Sequence, residues 1–151
     1  KIAPAGIPLQ QLIVDYCGGM QDGHILKAFF PGGASGGILP ANLASLPLDF
    51  GVFEEYGGFI GSHAIVILSD HDNIKEAALN TMRFFKHESC GQCTPCRSGT
   101  DKMISLLEDN NKELDLYNAL IKVMSDSSIC GLGQAASNCV SHLIKYFPEE
   151  F

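Results

Sequence analysis

The chain has 151 residues, of which 46% are hydrophobic and 18% charged, a composition typical of globular proteins. Its net charge of -7, with only ten Lys and Arg residues, argues against a nucleic-acid surface, because phosphate binding depends on clustered positive charge. No apolar run approaches the roughly 18 to 20 residues needed to cross a bilayer, and the first residues lack a signal-peptide pattern. We therefore expect a soluble, cytoplasmic protein without direct membrane insertion. Because it begins with Lys1, we also expect it to be a piece of a longer chain.

Residues 1–70 have the pattern of a small α+β domain. Apolar residues at helical spacing after Pro8 predict a short helix containing Leu9, Leu12, Ile13 and Tyr16. Two short apolar runs, residues 25–30 and 38–39, flank the segment PGGASGG and predict two strands joined by a glycine-rich loop. That segment lacks the lysine of a phosphate-binding loop and a following helical pattern, which favours a hairpin connection. The β-branched run from His63 to Leu68 predicts a buried strand.

Residues 71–151 have a helical pattern and predict a four-helix bundle. Asn73 and Glu76 form a capping box that predicts a helix over residues 73–87. A second helix is predicted to begin at Thr94-Pro95, with Thr94 as its capping residue. Apolar stripes predict two more, the third around residues 116–124 and the fourth around residues 136–147.

Three cysteines in the stretch ESCGQCTPCRSG predict a metal centre. Cys90, Cys93 and Cys96 have the C-x2-C-x2-C spacing by which chains wrap a 4Fe-4S cluster. The fourth ligand of such a cluster usually comes from a distant cysteine, and Cys130 in SSICGLG is our candidate. Glycines beside it, Gly131 among them, are expected to let the backbone approach a cluster closely. Arg97 and the start of the second helix would favour a negatively charged group.

Other interpretations of the cysteines remain open at this point. Structural zinc also uses four thiolates, but it usually takes them as two distant pairs. A redox disulfide would leave two cysteines unexplained, and core packing conflicts with the polar, glycine-rich loop. Cys139 lies on the apolar stripe of the fourth helix and is predicted to be a small buried side chain, while Cys17 is predicted to be buried or half-exposed. The five histidines follow no ligand spacing, and we interpret Asp70, His71 and Asp72 as a solvated linker.

The two cysteine motifs, together with their flanking residues, resemble the flavoprotein subunit of NADH:quinone oxidoreductase and its relatives among NAD-linked hydrogenases and NAD-dependent formate dehydrogenases. The resemblance implies that Cys90, Cys93, Cys96 and Cys130 hold one 4Fe-4S cluster. It also implies that residues 1–70 are a β-grasp (ubiquitin-like) domain of the soluble-ligand-binding type. The segments PGGASGG and PLDF are closest to the formate dehydrogenase β subunits.

What the resemblance implies for function is electron transfer. FMN and NAD would be bound in an N-terminal domain to which nothing in this chain corresponds, so the piece alone is not expected to oxidise NADH. It would relay electrons between that flavin and clusters in partner subunits, namely a thioredoxin-like 2Fe-2S subunit and a cluster-bearing large subunit. The alternative is a non-catalytic interaction module with structural zinc and a ligand-binding β-grasp domain.

Overall fold

The computed structural model describes residues 2–151, and the chain forms two compact units that divide between Asp72 and Asn73. Within the described residues, every helix is too short or too polar to cross a membrane.

The first unit is built around a three-stranded antiparallel sheet in the order β2-β1-β3. Its strands are β1 (Leu26–Phe30), β2 (Leu39–Pro40) and β3 (Val66–Ser69). Helix α1 (Leu9–Gln11) precedes them and continues as one π-helical turn over Leu12–Tyr16. Phe29 of the central strand is fully buried between Leu39 and Ile67 of its neighbours. The α+β class is thus confirmed, whereas the β-grasp assignment remains a prediction.

Strand β3 differs from the sequence prediction in its start and in its burial. His63 has a positive φ of 59°, so extended structure does not continue through it, and the strand begins at Val66. Val66 is 47% exposed, and β3 is an edge strand of the sheet. The prediction that this strand is buried is therefore wrong. An apolar run in the sequence does not reveal whether other elements will pack on both faces of a strand.

The second unit consists of helices. They are α2 (Ile74–Glu88), α3 (Thr94–Glu108), α4 (Leu114–Ser127), α5 (Gly131–Ala135) and α6 (Asn138–Tyr146). The four predicted helices are all present, but short α5 occupies a segment that we predicted to be a loop. The described part of this unit therefore contains five helices rather than the predicted four.

Apolar faces of the four longer helices form the core of the second unit. Fully buried members of that core include Ile74, Met82, Met103, Tyr117, Met124 and Leu143. Helices α3 and α4 approach closely, because a Cβ atom on Gly99 would lie 2.7 Å from the Cγ and Sδ atoms of Met124. Exposed ion pairs also join α2 to α3, but such pairs contribute at most about 1 kcal/mol each.

The N-terminus of α2 provides the first test. The side chain of Asn73 accepts a hydrogen bond from the Glu76 backbone N–H at 2.8 Å, which is the predicted capping contact. We expect Asn73→Ala to lower the free energy of unfolding by about 1 kcal/mol, because an N–H group of the first turn loses its acceptor. Asn73→Asp retains an acceptor and should unfold near the wild-type denaturant midpoint. Equal midpoints for Asn73→Ala and wild type would contradict this role.

Candidate metal centre

The three clustered cysteines lie where the chain leaves α2 and enters α3. Cys93 has an extended backbone and directly precedes Thr94, so it occupies the capping position that we predicted for Thr94. Cys96 lies in the first turn of α3 and is buried, Cys93 is half-buried, and Cys90 is exposed. The sequence therefore places the three thiols on a loop entering a helix, at graded depths from the surface.

Cys93 connects this loop to the distant segment that contains Cys130. The backbone N–H of Ile129 donates toward the Cys93 sulfur and is the main reason that the pKa of this thiol is lowered; the Cys96 backbone N–H and the Ser128 hydroxyl act in the same direction. Ile129 directly precedes Cys130. The structure therefore brings the segment that contains Cys130 against the loop of Cys93, although helices α3 and α4 separate the two segments in sequence.

Gly133 keeps the same two segments close together. A Cβ atom at this position would lie 2.6 Å from the Cβ and Oγ atoms of Ser128 and 2.9 Å from the Cβ atom of Cys96. The Gln134 side-chain amide also donates to the Ser128 carbonyl at 3.0 Å. We had predicted that glycines here let the backbone approach a cluster. For Gly133 the structure shows a different reason, namely contact between protein segments.

Arg97 and Ser89 order the loop around Cys90. The Arg97 guanidinium donates to the Gly91 carbonyl and, at 3.3 Å, to the Thr94 hydroxyl. The Ser89 hydroxyl accepts from the Gly91 N–H at 3.2 Å and lies 3.3 Å from the Cys96 sulfur. Arg97 thus fixes the loop by hydrogen bonds as well as contributing charge. Sequence reasoning missed Ser89, because one serine in a polar loop carries no distinct signal.

The sulfur positions help to judge which metal centre fits. Cys130 is exposed at the start of α5, and Gly131 follows it with open space where a Cβ atom would lie. No three of the described cysteines have sulfur atoms within 4.8 Å of one another. A single tetrahedral zinc ion needs sulfur atoms about 3.8 Å apart, given Zn–S bonds of about 2.3 Å. In a 4Fe-4S cluster each thiolate binds a different iron, so its four sulfur ligands lie farther apart than they would around one zinc ion.

Cys139 and Cys17 stand apart from this group. Cys139 is completely buried in α6, and burial raises the pKa of its thiol to about 12, although the Thr81 hydroxyl acts in the opposite direction. The predicted buried position of Cys139 is therefore confirmed. Cys17 belongs to the first unit and is exposed, rather than buried or half-exposed as predicted.

Comparison with known proteins supports iron-sulfur binding by the second unit. Residues 76–151 match the model of the NADH-ubiquinone oxidoreductase-F iron-sulfur binding region. The F subunit of NADH-quinone oxidoreductase in Rickettsia typhi is 38% identical, over 96% of this chain and 36% of its own length. The corresponding protein of Streptomyces coelicolor is 36% identical, over 99% of this chain and 34% of its own. An NAD⁺-reducing NiFe hydrogenase in the H₂-reduced state has a TM-score of 0.83 at 27% identity, over 98% of this chain and 26% of its own.

The fold and the cysteine loops define the second unit as an iron-sulfur binding module. More specifically, the chain belongs to the family of the NADH-ubiquinone oxidoreductase-F iron-sulfur binding region. The chain spans about a third of the length of the curated relatives that it matches. Family membership therefore identifies the iron-sulfur binding module and does not extend to the activity of a whole subunit.

The close approach at Gly133 provides the second test. We expect Gly133→Ala to destabilise the metal-free chain by about 1 to 3 kcal/mol, because its methyl group would overlap Ser128 and Cys96. Gly131→Ala is the matched control for stability, since its Cβ would meet no atom within 4 Å. Thermal unfolding of both variants measures the difference. Equal unfolding midpoints for the two variants would show that the added methyl group at position 133 is accommodated without loss of stability.

Proposed function

We propose that the chain is the electron-transferring iron-sulfur part of an NAD-linked oxidoreductase subunit, with one 4Fe-4S cluster held by Cys90, Cys93, Cys96 and Cys130. The observation that carries the proposal is the contact of Ile129 with Cys93. It supports a single four-thiolate site, because it places the segment of Cys130 against the loop of the other three. Family membership supports the cluster chemistry.

A bound 4Fe-4S cluster supplies a centre that accepts and releases one electron at a time. The chain's own residues would hold and tune it. The Ile129 N–H stabilises negative charge on the Cys93 sulfur, which favours the ligating thiolate. Arg97 keeps the loop closed and places a positive charge beside it, and the 15-residue helix α3 presents the positive end of its dipole near Cys93 and Cys96.

The relatives indicate the setting in which such a module would work. By their names, they are subunits of NADH-quinone oxidoreductases, and the structural neighbour reduces NAD⁺. We therefore place FMN and NAD binding in other parts of the parent subunit, with electrons passing onward to a thioredoxin-like 2Fe-2S subunit and a cluster-bearing large subunit. The first unit would be the β-grasp domain of the same subunit. A formate dehydrogenase assignment rests on the loop sequences alone.

Metal analysis separates this proposal from the zinc-containing interaction module. Protein prepared without air should be brown and contain about four iron and four sulfide ions per chain. It should also lose visible absorption on reduction. A colourless protein with one zinc per chain under the same conditions would favour the interaction module.

The ligand assignment is tested by two cysteine variants. We expect Cys130→Ser to lose most of the bound iron, because the exposed end of the site then lacks its thiolate. Cys139→Ala should keep nearly all of it, since Cys139 is buried in the core of α6. Iron and sulfide are measured per folded chain, with circular dichroism as the check on folding. Similar iron loss in both variants would contradict the assignment.

Arg97 provides a separate test through the reduction potential. We expect Arg97→Gln to lower the potential, because the more negative reduced state loses a nearby positive charge. Arg97→Lys should lie between that variant and wild type. Lys102→Gln removes one charge farther along α3 and serves as the matched control. Redox titration followed by electron paramagnetic resonance measures all four proteins, and an equal shift for Arg97→Gln and Lys102→Gln would exclude a local effect.

A further inference from the structure

A second group of metal-ligating side chains lies in the first unit, and the proposed electron-transfer site does not use it. Ligand atoms of His24, Asp70 and His71 all lie within 4.8 Å of one another, and no other group of three in the described chain does so. The His71 Nε2 atom is 3.8 Å from Asp70 Oδ2, and the two imidazole rings are 4.2 Å apart between centroids. Two imidazoles and a carboxylate are the ligand types that zinc and similar divalent ions take.

Pairing between strands produces this group. Leu26 of β1 lies opposite Ser69 of β3 in an antiparallel register. Two residues before Leu26 and two residues after Ser69 therefore come to the same end of the sheet, and these residues are His24 and His71. The Ile25 carbonyl continues the contact by accepting from the Asp70 N–H at 2.9 Å. The backbone thus fixes the separation of the proposed ligands.

Hydrogen bonds determine which nitrogen of His24 is available. The Ser69 hydroxyl lies 2.9 Å from Asp72 Oδ2 and donates its hydrogen to that carboxylate. Because this hydrogen is committed, the hydroxyl oxygen can only accept from His24 Nδ1, which lies 3.0 Å away. The Nε2 atom of His24 then carries the lone pair that is available to an ion. A ligating histidine commonly donates its other ring N–H to a polar partner that fixes its tautomer; here that partner is Ser69, which is itself held by Asp72.

The Asp70 carboxylate is also oriented by a backbone hydrogen bond. Its Oδ1 atom accepts from the Ile25 N–H at 2.8 Å, which leaves Oδ2 toward His71. That backbone contact fixes the orientation of the carboxylate beside His71. Asp70 and His71 are exposed and His24 is half-buried, which makes the group accessible to an ion from solution.

A cavity of about 410 Å³ adjoins the group and is lined by both histidines and by Asp72. Apolar side chains of Ile13 and Ile67 form part of its wall. We propose that His24, Asp70 and His71 bind a divalent ion of the zinc type, with a remaining coordination position open to this cavity. The sequence interpretation of residues 70–72 as a solvated linker is revised accordingly.

Zinc stoichiometry tests the site in the intact, cluster-loaded chain. Wild type is compared with the double variant His24→Ala/His71→Ala by equilibrium dialysis against Zn²⁺. We expect wild type to retain one more zinc ion per chain. Zinc bound by the cysteine loops cancels in this difference, because both proteins contain those loops. Equal zinc content in folded wild type and double variant would overturn the proposal.

Two single variants sharpen the comparison. His63→Ala should bind zinc as wild type does, because His63 lies outside the group and its ring packs against Phe50. Cys17→Ser should also bind normally, although Cys17 lines the same cavity. If Cys17→Ser loses the additional zinc, the proposed ligand set is wrong. A cobalt-substituted site should correspondingly lack thiolate-to-metal charge-transfer absorption that depends on Cys17.

Asp72 is assigned as a positioning residue, and its role has its own readout. We expect Asp72→Asn to weaken zinc binding by about tenfold to a hundredfold without removing a ligand. Nitrogen-15 NMR of the histidines should show His24 protonated at Nδ1 in the zinc-free wild-type chain. Protonation at Nε2 instead, or unchanged affinity in Asp72→Asn, would overturn the orientation argument.

Discussion

The donation from the Ile129 N–H to the Cys93 sulfur is the contact on which the candidate metal centre depends. Helices α3 and α4 contain 15 and 14 residues, so they rise about 22 and 21 Å. Gly99, near the start of α3, packs against Met124 near the end of α4, which shows that the two helices run antiparallel. Helix α3 therefore leads away from the cysteine loop and α4 leads back over nearly the same length. The nearly equal helix lengths thus return the segment of Ile129 and Cys130 to the loop of Cys93, where the Ile129 contact forms.

Local signals explain which parts of this arrangement could be predicted from the sequence. The start of α2 was predictable because Asn73 and Glu76 form a capping pattern, and the start of α3 to within one residue because of Pro95. Helix α5 was not, because its five residues, GLGQA, include two glycines and lack an apolar stripe. It forms where tertiary contacts support it, notably at Gly133 against Cys96. The burial of β3 was also mispredicted, because it depends on which elements pack on the strand and not on the strand's own sequence.

The two candidate sites differ in how far they could be recognised from sequence. Cys90, Cys93 and Cys96 lie within one loop, so their spacing alone indicates shared chemistry. His24 and His71 are distant in sequence and meet only because Leu26 pairs with Ser69. Strand register is weakly specified by short apolar runs, and shifting it by one residue would bring a different residue opposite His24. Proximity of this kind becomes visible only when the pairing is known.

Unequal burial of the four thiols connects the architecture to the proposed role. Cys96 is 5% exposed and packs against the helical core, whereas Cys90 and Cys130 are exposed. The core therefore supports the site from one side and leaves the other side at the surface of the unit. An electron carrier must exchange electrons with groups beyond its own chain, and ligands near the surface of the unit suit such exchange. The graded burial thus fits a relay, in which the same helices provide rigidity behind the site and access in front of it.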